Sequence, residues 1–519
     1  MWRPKLINPL LRAQEDKPQT SFKPGHALIY LIVLASLLRL TLAGSLGLGI
    51  DEAYTVSTSR IFDWSYFDHP PLAWWLTGAI AKLLGSETAL VVRLPFIGLS
   101  AFASVLIYLL TARLFDAKSG FYAALLFTLA PALGVSDGTF VLPDGPLLVA
   151  LLAGALCLLT LPESQPGSSG LFWLAGGICA GLALLAKYHG IFLLLGAGLF
   201  VITSARHRFW LASPWPYMGA CLALLIFLPV LIWNAQHDWV SFQFQGGRAL
   251  SSRFRPWMML VALGGQALFL TPWIWAPLMS STLKALRKGT EESRSWFLLC
   301  LASGPILAFN ILPLINGTPG LFHWSMPGYL LLLPLLGQAL ARRMEQAHRA
   351  TQIWLRFTLA LTPILLSAVI ALALLPWPGL PWSKPDQSDD PLIETLEWSN
   401  LRNALKSADA PDRSTSFIAG ERWHEAGRID YALRGERRVT CLCEDARAYS
   451  VQAPLKDFVG QKAILIIPQS RAENVNERFG ASFTSLTLWK TLSVDHAGRP
   501  AFYLNLYIGE GFKKAALNG

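Results

Sequence analysis

Charged residues are scarce in this chain of 519 residues. Only 15% of them are Asp, Glu, Lys or Arg, whereas 53% are hydrophobic, and soluble domains carry roughly a quarter charged residues. This shortage excludes an ordinary soluble protein and indicates a membrane protein. The net charge of +10 is not accompanied by a basic patch or a nucleic-acid-binding motif. We therefore exclude nucleic acid as a partner and assign the cations to cytoplasmic loops and anionic lipids.

Cysteine is also scarce, with six residues. None of them shows the spacing of a zinc site. Cys441 and Cys443 are separated by one residue, which argues against an unstrained disulfide between them. The sequence therefore predicts no disulfide and no cysteine chemistry.

Apolar runs long enough to cross a membrane, about twenty residues each, recur up to residue 376. They lie at 26–48, 91–112, 119–135, 146–162, 170–186, 189–204, 211–233, 258–280, 295–315, 325–340 and 352–376. The first run lacks a small-residue cleavage site, so we expect it to be retained as a helix. The pattern predicts an all-α polytopic membrane domain over residues 1–376 with about eleven transmembrane helices.

Basic residues alternate along the connecting segments. They occur in the N-terminal arm, at 113–118, at 206–208, at 284–294 and at 342–343, whereas the loop at 163–169 has none. The intervening loops carry carboxylates, histidines and tryptophans instead. By the positive-inside rule, the N-terminus is cytoplasmic and, with eleven spans, the C-terminal region is periplasmic, in a bacterial inner membrane.

The composition changes after Pro376. Residues 377–395 are rich in Pro and polar residues and predict a linker. Beyond it, STSFIAG and KAILIIPQ resemble buried strands, RRVTCLC and FYLNLYIG resemble further strands, and RWHEAGRIDYALRG resembles a helix ending at Gly435. Residues 396–519 therefore predict a soluble α/β domain.

The first outward loop, residues 49–90, holds the most candidate groups. Asp51 and Glu52 stand next to each other at the end of the first helix, where carboxylates are costly unless they are hydrated or paired. Asp68 and His69 precede two prolines that fix the backbone presenting them, and such a pair suits a divalent metal or a phosphate. We expect Trp74 and its neighbours to lie in the membrane interface.

Later outward loops add further candidates. Asp144 precedes a helix, where it also complements the helix dipole. Lys187 ends an apolar helix at the outer edge, where it either snorkels to lipid or binds a substrate phosphate. Tyr188 follows it. Arg248 lies in a loop whose three arginines suit an anionic headgroup.

At these residues the sequence resembles the bacterial GT-C glycosyltransferases of the dolichyl-phosphate-mannose protein mannosyltransferase type. The nearest branch is that of the aminoarabinose–lipid A transferases. The motifs that carry the resemblance follow one another over roughly residues 1–340: DEAY at 51–54, YFDHPP at 66–71, RLP at 93–95, PDGP at 143–146, AKY at 186–188, WN with HDW at 233–239, and HW at 323–324.

The resemblance implies a GT-C fold and transfer of a sugar from a polyprenyl-phosphate carrier, at the outer membrane face, to a lipid A-like lipid, a glycan or a protein. It implies catalytic positions at Asp51, Glu52 and Asp144. Substrate-binding positions follow at Tyr54, His69, Lys187, Tyr188, Arg248, His323 and Trp324. It also implies a divalent metal at Asp68, with His237 as the candidate second ligand. The aminoarabinose enzymes differ in having an arginine at the position of Tyr54 and a lysine at that of His69.

Other functions are compatible with the helices alone. A transporter or flippase for a lipid or a lipid-linked sugar is the main alternative, and inverted repeats or broken midplane helices would favour it. An O-antigen-ligase-like or oligosaccharide transferase is a second alternative, and a catalytically silent scaffold is a third. Chemistry confined to one face, beside a soluble domain, favours the sugar transferase.

Overall fold

The computed structural model describes residues 23–247, 254–318, 320–375, 394–407, 410–496 and 499–513. Up to residue 374 the described chain is helical. Its helices are α1 (Pro24–Ser45), α2 (Ile50–Ser59), α3 (Leu72–Leu84), α4 (Ala89–Leu114), α5 (Ala117–Leu129), α6 (Asp137–Thr139), α7 (Asp144–Cys157), α8 (Leu171–Ala186), α9 (Ile191–Thr203), α10 (Trp215–Gln236), α11 (Val240–Gly247), α12 (Met258–Leu270), α13 (Pro272–Lys288), α14 (Ser293–Asn316), α15 (Met326–Glu345) and α16 (Arg349–Leu374).

The apolar runs predicted from the sequence all fall on these helices. Among the described residues, seven helices are long and apolar enough to cross a membrane, or up to ten if each of three bent pairs forms one span. The predicted run at 170–186 corresponds to α8, a shorter apolar helix of 16 residues. The predicted polytopic bundle is confirmed, with seven to ten spans supported by length and composition among the described residues.

The bundle is organised around α15. In the apolar stretch that contains α15, 83% of the residues are buried inside the protein. The corresponding fractions are 22% for α1 and 17% for α16. The central helix is therefore enclosed by protein while the first and last helices face the surroundings. Helices α8 and α10 approach closely, because a Cβ at Gly177 would lie 2.2 Å from the carbonyl oxygen of Gly219. Small residues at a helix crossing allow this backbone contact.

The loops sort to the two ends of the bundle as the charge pattern predicts. At one end, Lys118 pairs with Glu345 at 2.7 Å, and Arg294 pairs with Glu163 and donates to the carbonyl of Leu114 at 2.9 Å. The loops predicted to face outward meet at the other end, where they surround a cavity. The grouping of the loops is therefore as predicted.

Residues 394–513 form a mixed sheet with helices against it. The strands are β1 (Ser416–Gly420), β2 (Val439–Cys441), β3 (Lys462–Pro468), β4 (Ser485–His496) and β5 (Arg499–Glu510), and the helices are α17 (Ser399–Ala404), α18 (Trp423–Leu433), α19 (Tyr449–Gln452) and α20 (Val475–Phe479). The strand order is β2-β1-β3-β5-β4, with β1 parallel to β2 and β3, and β5 antiparallel to β3 and β4. The predicted α/β class is confirmed, although β4 was not anticipated. The predicted linker lies almost wholly outside the described residues.

One sequence expectation about this domain is wrong. Cys441 and Cys443 form a disulfide, with their Cα atoms 5.4 Å apart. This separation is within the range that a disulfide spans. Cys441 ends β2, and the chain after the strand carries the second thiol to the first. Spacing in the sequence did not reveal this local geometry.

The soluble domain packs on α2 through α18. Gly427 permits the contact, because a Cβ there would lie 2.9 Å from the Cα of Tyr54. Ser57 Oγ donates to the carbonyl of Gly427 at 3.1 Å. Arg60 joins the two regions further, with its guanidinium 2.7 Å from Glu87 and 2.6 Å from Asp430. The domain therefore forms a wall against the outward end of the bundle.

Candidate active site

A cavity of about 760 Å³ lies between the soluble domain and the end of the bundle that carries the loops predicted to face outward. Its lining includes carboxylates, cations and histidines. It also includes aromatic and aliphatic side chains, among them Phe192, Phe269, Phe309, Leu312 and Leu321. A cavity with this mixed lining can hold a ligand that has both a charged head group and an apolar chain.

Helix α2 presents the adjacent acids of the first loop in different directions. Glu52 accepts a hydrogen bond from the amide of Gly49 at 3.0 Å, which caps the helix. The same carboxylate is bound by Arg93, at 2.8 Å and 2.5 Å, and by the amide of Val141 at 2.9 Å. Glu52 is buried, and its two oxygens are occupied by protein donors. It does not line the cavity within the described part of the chain.

Asp51 lines the cavity. Its side chain is exposed to that space, although the surrounding protein shields it from bulk water. This desolvation raises the pKa of Asp51 to about 6; Arg447 opposes the shift, and the carboxylates of Asp68, Glu394 and Glu52 add to it. A carboxyl group with this pKa can accept a proton near neutral pH and release it again.

Tyr54, one turn after Asp51, joins the two domains. Its hydroxyl donates to Asp68 Oδ1 at 3.2 Å and accepts from the amide of Ala448 at 3.1 Å. Asp68 Oδ2 is 3.2 Å from Arg447 Nη1. The carboxylate of Asp68 is thus bound by one group from the membrane domain and by one from the soluble domain.

Asp144 and Lys187 form a second ion pair in the lining of the cavity. Lys187 Nζ is 2.8 Å from both carboxylate oxygens of Asp144, and both side chains are buried. Asp144 begins α7, and Lys187 directly follows α8. Asp137 also lines the cavity and interacts electrostatically with this pair.

Asp137 is held by an irregular segment. A single π-helical stretch, Pro131–Ser136, leads into α6. The buried Arg39 of α1 donates from Nε to the carbonyl of Gly134 in this stretch at 2.8 Å. Arg39 therefore supports the backbone that carries Asp137.

The other predicted binding residues also reach the cavity. His69, Tyr188, His323 and Trp324 line it. The hydroxyl of Tyr188 is 2.5 Å from Ser241 Oγ. His189, beside Tyr188, stacks on Phe309 with 4.7 Å between ring centroids. Trp74 also lines the cavity; its ring is buried in the protein, and its Nε1 donates to Thr58 at 2.8 Å. Arg248 lies outside the described residues.

The described residues do not fit the divalent metal that the resemblance implies. His237 stacks on Trp233, its Nδ1 lies 2.8 Å from that residue's carbonyl oxygen, and it does not line the cavity. Asp68 already binds Tyr54 and Arg447. Within the described residues, no three His, Cys, Asp or Glu side chains form a group that could hold a metal ion.

Sequence reasoning missed two cavity residues from the soluble domain, Trp423 and Arg447. Asp68 and Arg447 are 379 positions apart in the chain, and no spacing rule connects them. Trp423 at the start of α18 carried no signal beyond its aromatic character.

Comparisons with known proteins find sequence relatives for part of this chain. Residues 68–233 match the family described as dolichyl-phosphate-mannose-protein mannosyltransferase. The lipid A galacturonosyltransferase RgtD of Rhizobium johnstonii is 32% identical over 36% of this chain and 39% of its own length. The undecaprenyl phosphate-alpha-4-amino-4-deoxy-L-arabinose arabinosyl transferase 2 of Proteus mirabilis is 26% identical over 49% of this chain and 46% of its own length. The matches span less than half the length of these curated relatives.

The structural similarity extends over the whole described architecture. ArnT from Cupriavidus metallidurans in its apo state superposes with a TM-score of 0.63 at 14% identity, covering 93% of this chain and 98% of that one. Its complex with undecaprenyl phosphate gives a TM-score of 0.62 at 14% identity, covering 95% and 99%. At this identity the likeness establishes the fold. The chain is therefore a multi-helix membrane protein with the GT-C fold, and the resemblance seen in its motifs is confirmed.

Proposed function

We propose that this protein is a glycosyltransferase. It moves a sugar from a polyprenyl-phosphate carrier to a lipid A-like lipid, a glycan or a protein. The observation that carries the proposal is the cavity, whose lining combines Asp51, Asp144 and Lys187 with aromatic and aliphatic side chains. The charged groups suit a sugar phosphate, and the apolar side chains suit the first part of a prenyl chain. The match to an aminoarabinosyl transferase and a galacturonosyltransferase supports this assignment.

In the proposed reaction Asp51 is the general base. The hydroxyl oxygen of the acceptor attacks the anomeric carbon of the sugar, and its proton passes to the Asp51 carboxylate. The bond from the anomeric carbon to the phosphate oxygen breaks, and its electron pair leaves with the polyprenyl phosphate. Because the pKa of Asp51 is raised to about 6, the base is ionised above that pH, and activity is lost as the pH falls below it.

Lys187 is proposed to stabilise the departing phosphate. Two of its ammonium hydrogens bind Asp144, and an ammonium group has three. The remaining hydrogen and the positive charge of Lys187 are available to an anion in the cavity. Asp144 holds the ammonium in place. We propose that Glu52, which binds Arg93 and not the cavity, is a positioning residue for α2.

We also propose that the soluble domain lies on the periplasmic side. The basic residues at the opposite end of the bundle support this orientation. The Cys441–Cys443 disulfide supports it independently, because disulfides persist in oxidising compartments and are rare in the cytosol. An exported reporter fused after Gly519 should be active, and activity of a cytoplasm-only reporter there would reverse the orientation.

The function is tested by a membrane glycolipid profile of cells with and without the gene. Loss of one glycosylated species should be restored by the wild-type gene and not by Asp51→Asn, which should reduce transfer about 10²–10⁴-fold. Asp63→Asn is the matched control, because Asp63 is on the same loop but does not line the cavity. Full restoration by Asp51→Asn at equal protein level would overturn the assignment.

A transporter remains the competing class, and the same strains distinguish it. A flippase moves an intact lipid-linked sugar, so its loss leaves that lipid on the inner face with the sugar attached. Loss of a transferase instead causes the lipid-linked sugar to accumulate on the outer face, and the acceptor stays unmodified. Enzymatic labelling of the outer face of spheroplasts separates the two outcomes.

A further inference from the structure

The segment between β2 and α19 extends from the soluble domain to the wall of the cavity. The amide of Ala448 donates to Tyr54, and Gln452 Nε2 donates to the carbonyl of Thr58 at 3.2 Å. These two contacts fix the backbone that follows Arg447 against α2. The Cys441–Cys443 disulfide constrains the start of the same segment. Arg447 is thus placed in the cavity by contacts that do not involve its side chain.

The guanidinium of Arg447 is enclosed by aromatic rings. Its Cζ is 3.5 Å from the ring centroid of Trp423 and 5.2 Å from that of Phe244. Stacking on ring faces holds the plane of the guanidinium and leaves its edge for hydrogen bonds. The side chain is only 12% exposed, so its orientation is well determined by its surroundings.

Most hydrogen-bonding capacity of this group is unused. A guanidinium carries five N–H donors, and among the described residues Arg447 makes one side-chain hydrogen bond, to Asp68. Its Nε is buried without a hydrogen-bond acceptor in the described structure, although it forms an ion pair of 3.5 Å with Asp445, whose side chain is 52% exposed. A buried guanidinium in this condition is incomplete, because buried polar groups are normally satisfied.

The backbone of Arg447 is also strained. Its φ of 44° is in the left-handed region, which non-glycine residues seldom occupy. Such residues concentrate at functional sites, where the surrounding structure imposes the conformation. The ion pair with Asp68 uses only part of the side chain, so pairing alone does not account for a strained, ring-stacked arginine in the wall of a cavity.

We propose that Arg447 binds an anionic group of the sugar donor with its free N–H groups. This inference rests on the proposed function, because it takes the cavity to be the donor site. The chemistry recognised is a pair of oxygens sharing a negative charge, which a guanidinium binds bidentately. Two parts of a donor offer it: the carrier phosphate, and the carboxylate of a uronic acid sugar. The soluble domain then supplies a substrate-binding residue and is part of the active site.

The geometry separates this role from that of Lys187. The ammonium of Lys187 is bound by both oxygens of Asp144, whereas Arg447 shares Asp68 with Tyr54. The resemblance implied a metal cation at Asp68, and the cation that the structure describes there is the guanidinium. An anion entering the cavity therefore meets two separate cations, of which Arg447 has more unused donors.

The test measures binding of three ligands to purified protein in nanodiscs: undecaprenyl phosphate, an undecaprenyl-phosphate uronic acid, and the matching undecaprenyl-phosphate neutral hexose. Arg447→Met should weaken binding of at least one ligand about tenfold to a hundredfold, as expected for loss of a charged hydrogen bond. Arg447→Lys keeps the positive charge but loses the planar fork of N–H donors. Its affinity should therefore lie between those of the wild type and Arg447→Met. Thermal unfolding and monodispersity confirm that each variant is folded.

The pattern across ligands identifies the source of the anion. Equal weakening of all three supports binding of the phosphate, and weakening of the uronic acid donor alone supports binding of the sugar carboxylate. Arg434→Met is the control, because Arg434 also has a positive φ, 51°, in the same domain but does not line the cavity. Unchanged affinity of Arg447→Met for all three ligands, or equal weakening by Arg434→Met, would overturn the proposal. Binding does not require turnover, so failure of the Asp51 test leaves this result interpretable.

Discussion

Two ion pairs line the cavity, and they differ in how completely their charged groups are satisfied by each other. Asp144 and Lys187 come from the membrane bundle alone, with two contacts of 2.8 Å and side chains 6% and 5% exposed. Asp68 and Arg447 join two domains through one contact of 3.2 Å, and the arginine is 12% exposed. The first pair is nearly self-sufficient, whereas the second leaves donors unused.

This difference indicates different uses of charge. A closed, buried pair contributes little net stability, because desolvation offsets the attraction, yet losing one partner is costly. The side of the cavity formed by the membrane bundle, which we call the bundle wall, therefore holds Asp144 and Lys187 in fixed positions. The side formed by the soluble domain, the domain wall, is joined to the bundle through the contact at Gly427, the strained Arg447 and shared hydrogen bonds. It can therefore respond to a ligand. Perturbing each wall separately tests this distinction.

The largest expected effect is on the bundle wall. Lys187→Met leaves the carboxylate of Asp144 buried and unpaired, which typically costs about 3–5 kcal/mol of stability. Thermal and denaturant unfolding in detergent measures the loss. The double variant Asp144→Asn with Lys187→Met removes both charges, so it should recover most of the stability but still bind the donor weakly. Lys82→Met, at an exposed position on α3, is the control. If Lys187→Met alone were as stable as the wild type, Asp144 would not depend on Lys187 as its charge partner.

The second effect is on the domain wall. Gly427→Ala places a Cβ 2.9 Å from the Cα of Tyr54, so α18 must move away from α2 at a cost of about 1–3 kcal/mol. We expect faster proteolysis of the soluble domain and reduced transfer, with the bundle still folded. Gly480→Ala is the matched control, since its nearest neighbour would be 3.9 Å away. Unchanged protease sensitivity in Gly427→Ala would show that this contact does not hold the wall.

A smaller effect should follow removal of the disulfide. The bridge closes a loop of only three residues, so loop-closure entropy predicts a loss of about 1.5 kcal/mol in Cys441→Ser with Cys443→Ser. The soluble domain should melt earlier, and the stability of the bundle should not change. Melting followed separately for each region, by hydrogen exchange, checks this prediction. A loss in the bundle would mean that the two walls are more tightly coupled than their contacts indicate.

The smallest effect is on proton affinity. Desolvation raises the pKa of Asp51 to about 6, and this value already includes the opposing effect of the positive charge of Arg447. Removing the positive charge in Arg447→Met should therefore raise that pKa and move the acid limb of the rate–pH profile upward. Arg434→Met should leave the limb in place. A downward shift in Arg447→Met would contradict the described position of the guanidinium beside Asp51.

The sequence predicted the bundle well because membrane spans require long apolar runs, and loop charges then sort the two ends. It also predicted that Asp51, Asp68, Asp144 and Lys187 would meet at one end. It could not distinguish Asp51 from Glu52, since neighbouring residues on a helix point about 100° apart and only the positions of Arg93 and the cavity decide their roles. Nor could it place Arg447, whose contact with Asp68 depends on how two domains pack.

The central claim is that Asp51 acts as the general base in this cavity. It is tested most directly by the single-turnover transfer rate, measured against pH with purified protein in nanodiscs, a polyprenyl-phosphate sugar and an acceptor lipid. The account predicts a wild-type rate that falls below about pH 6. It also predicts a loss of about 10²-fold or more in Asp51→Asn, without that acid limb. An Asp51→Asn rate close to wild type with the same pH profile would contradict it.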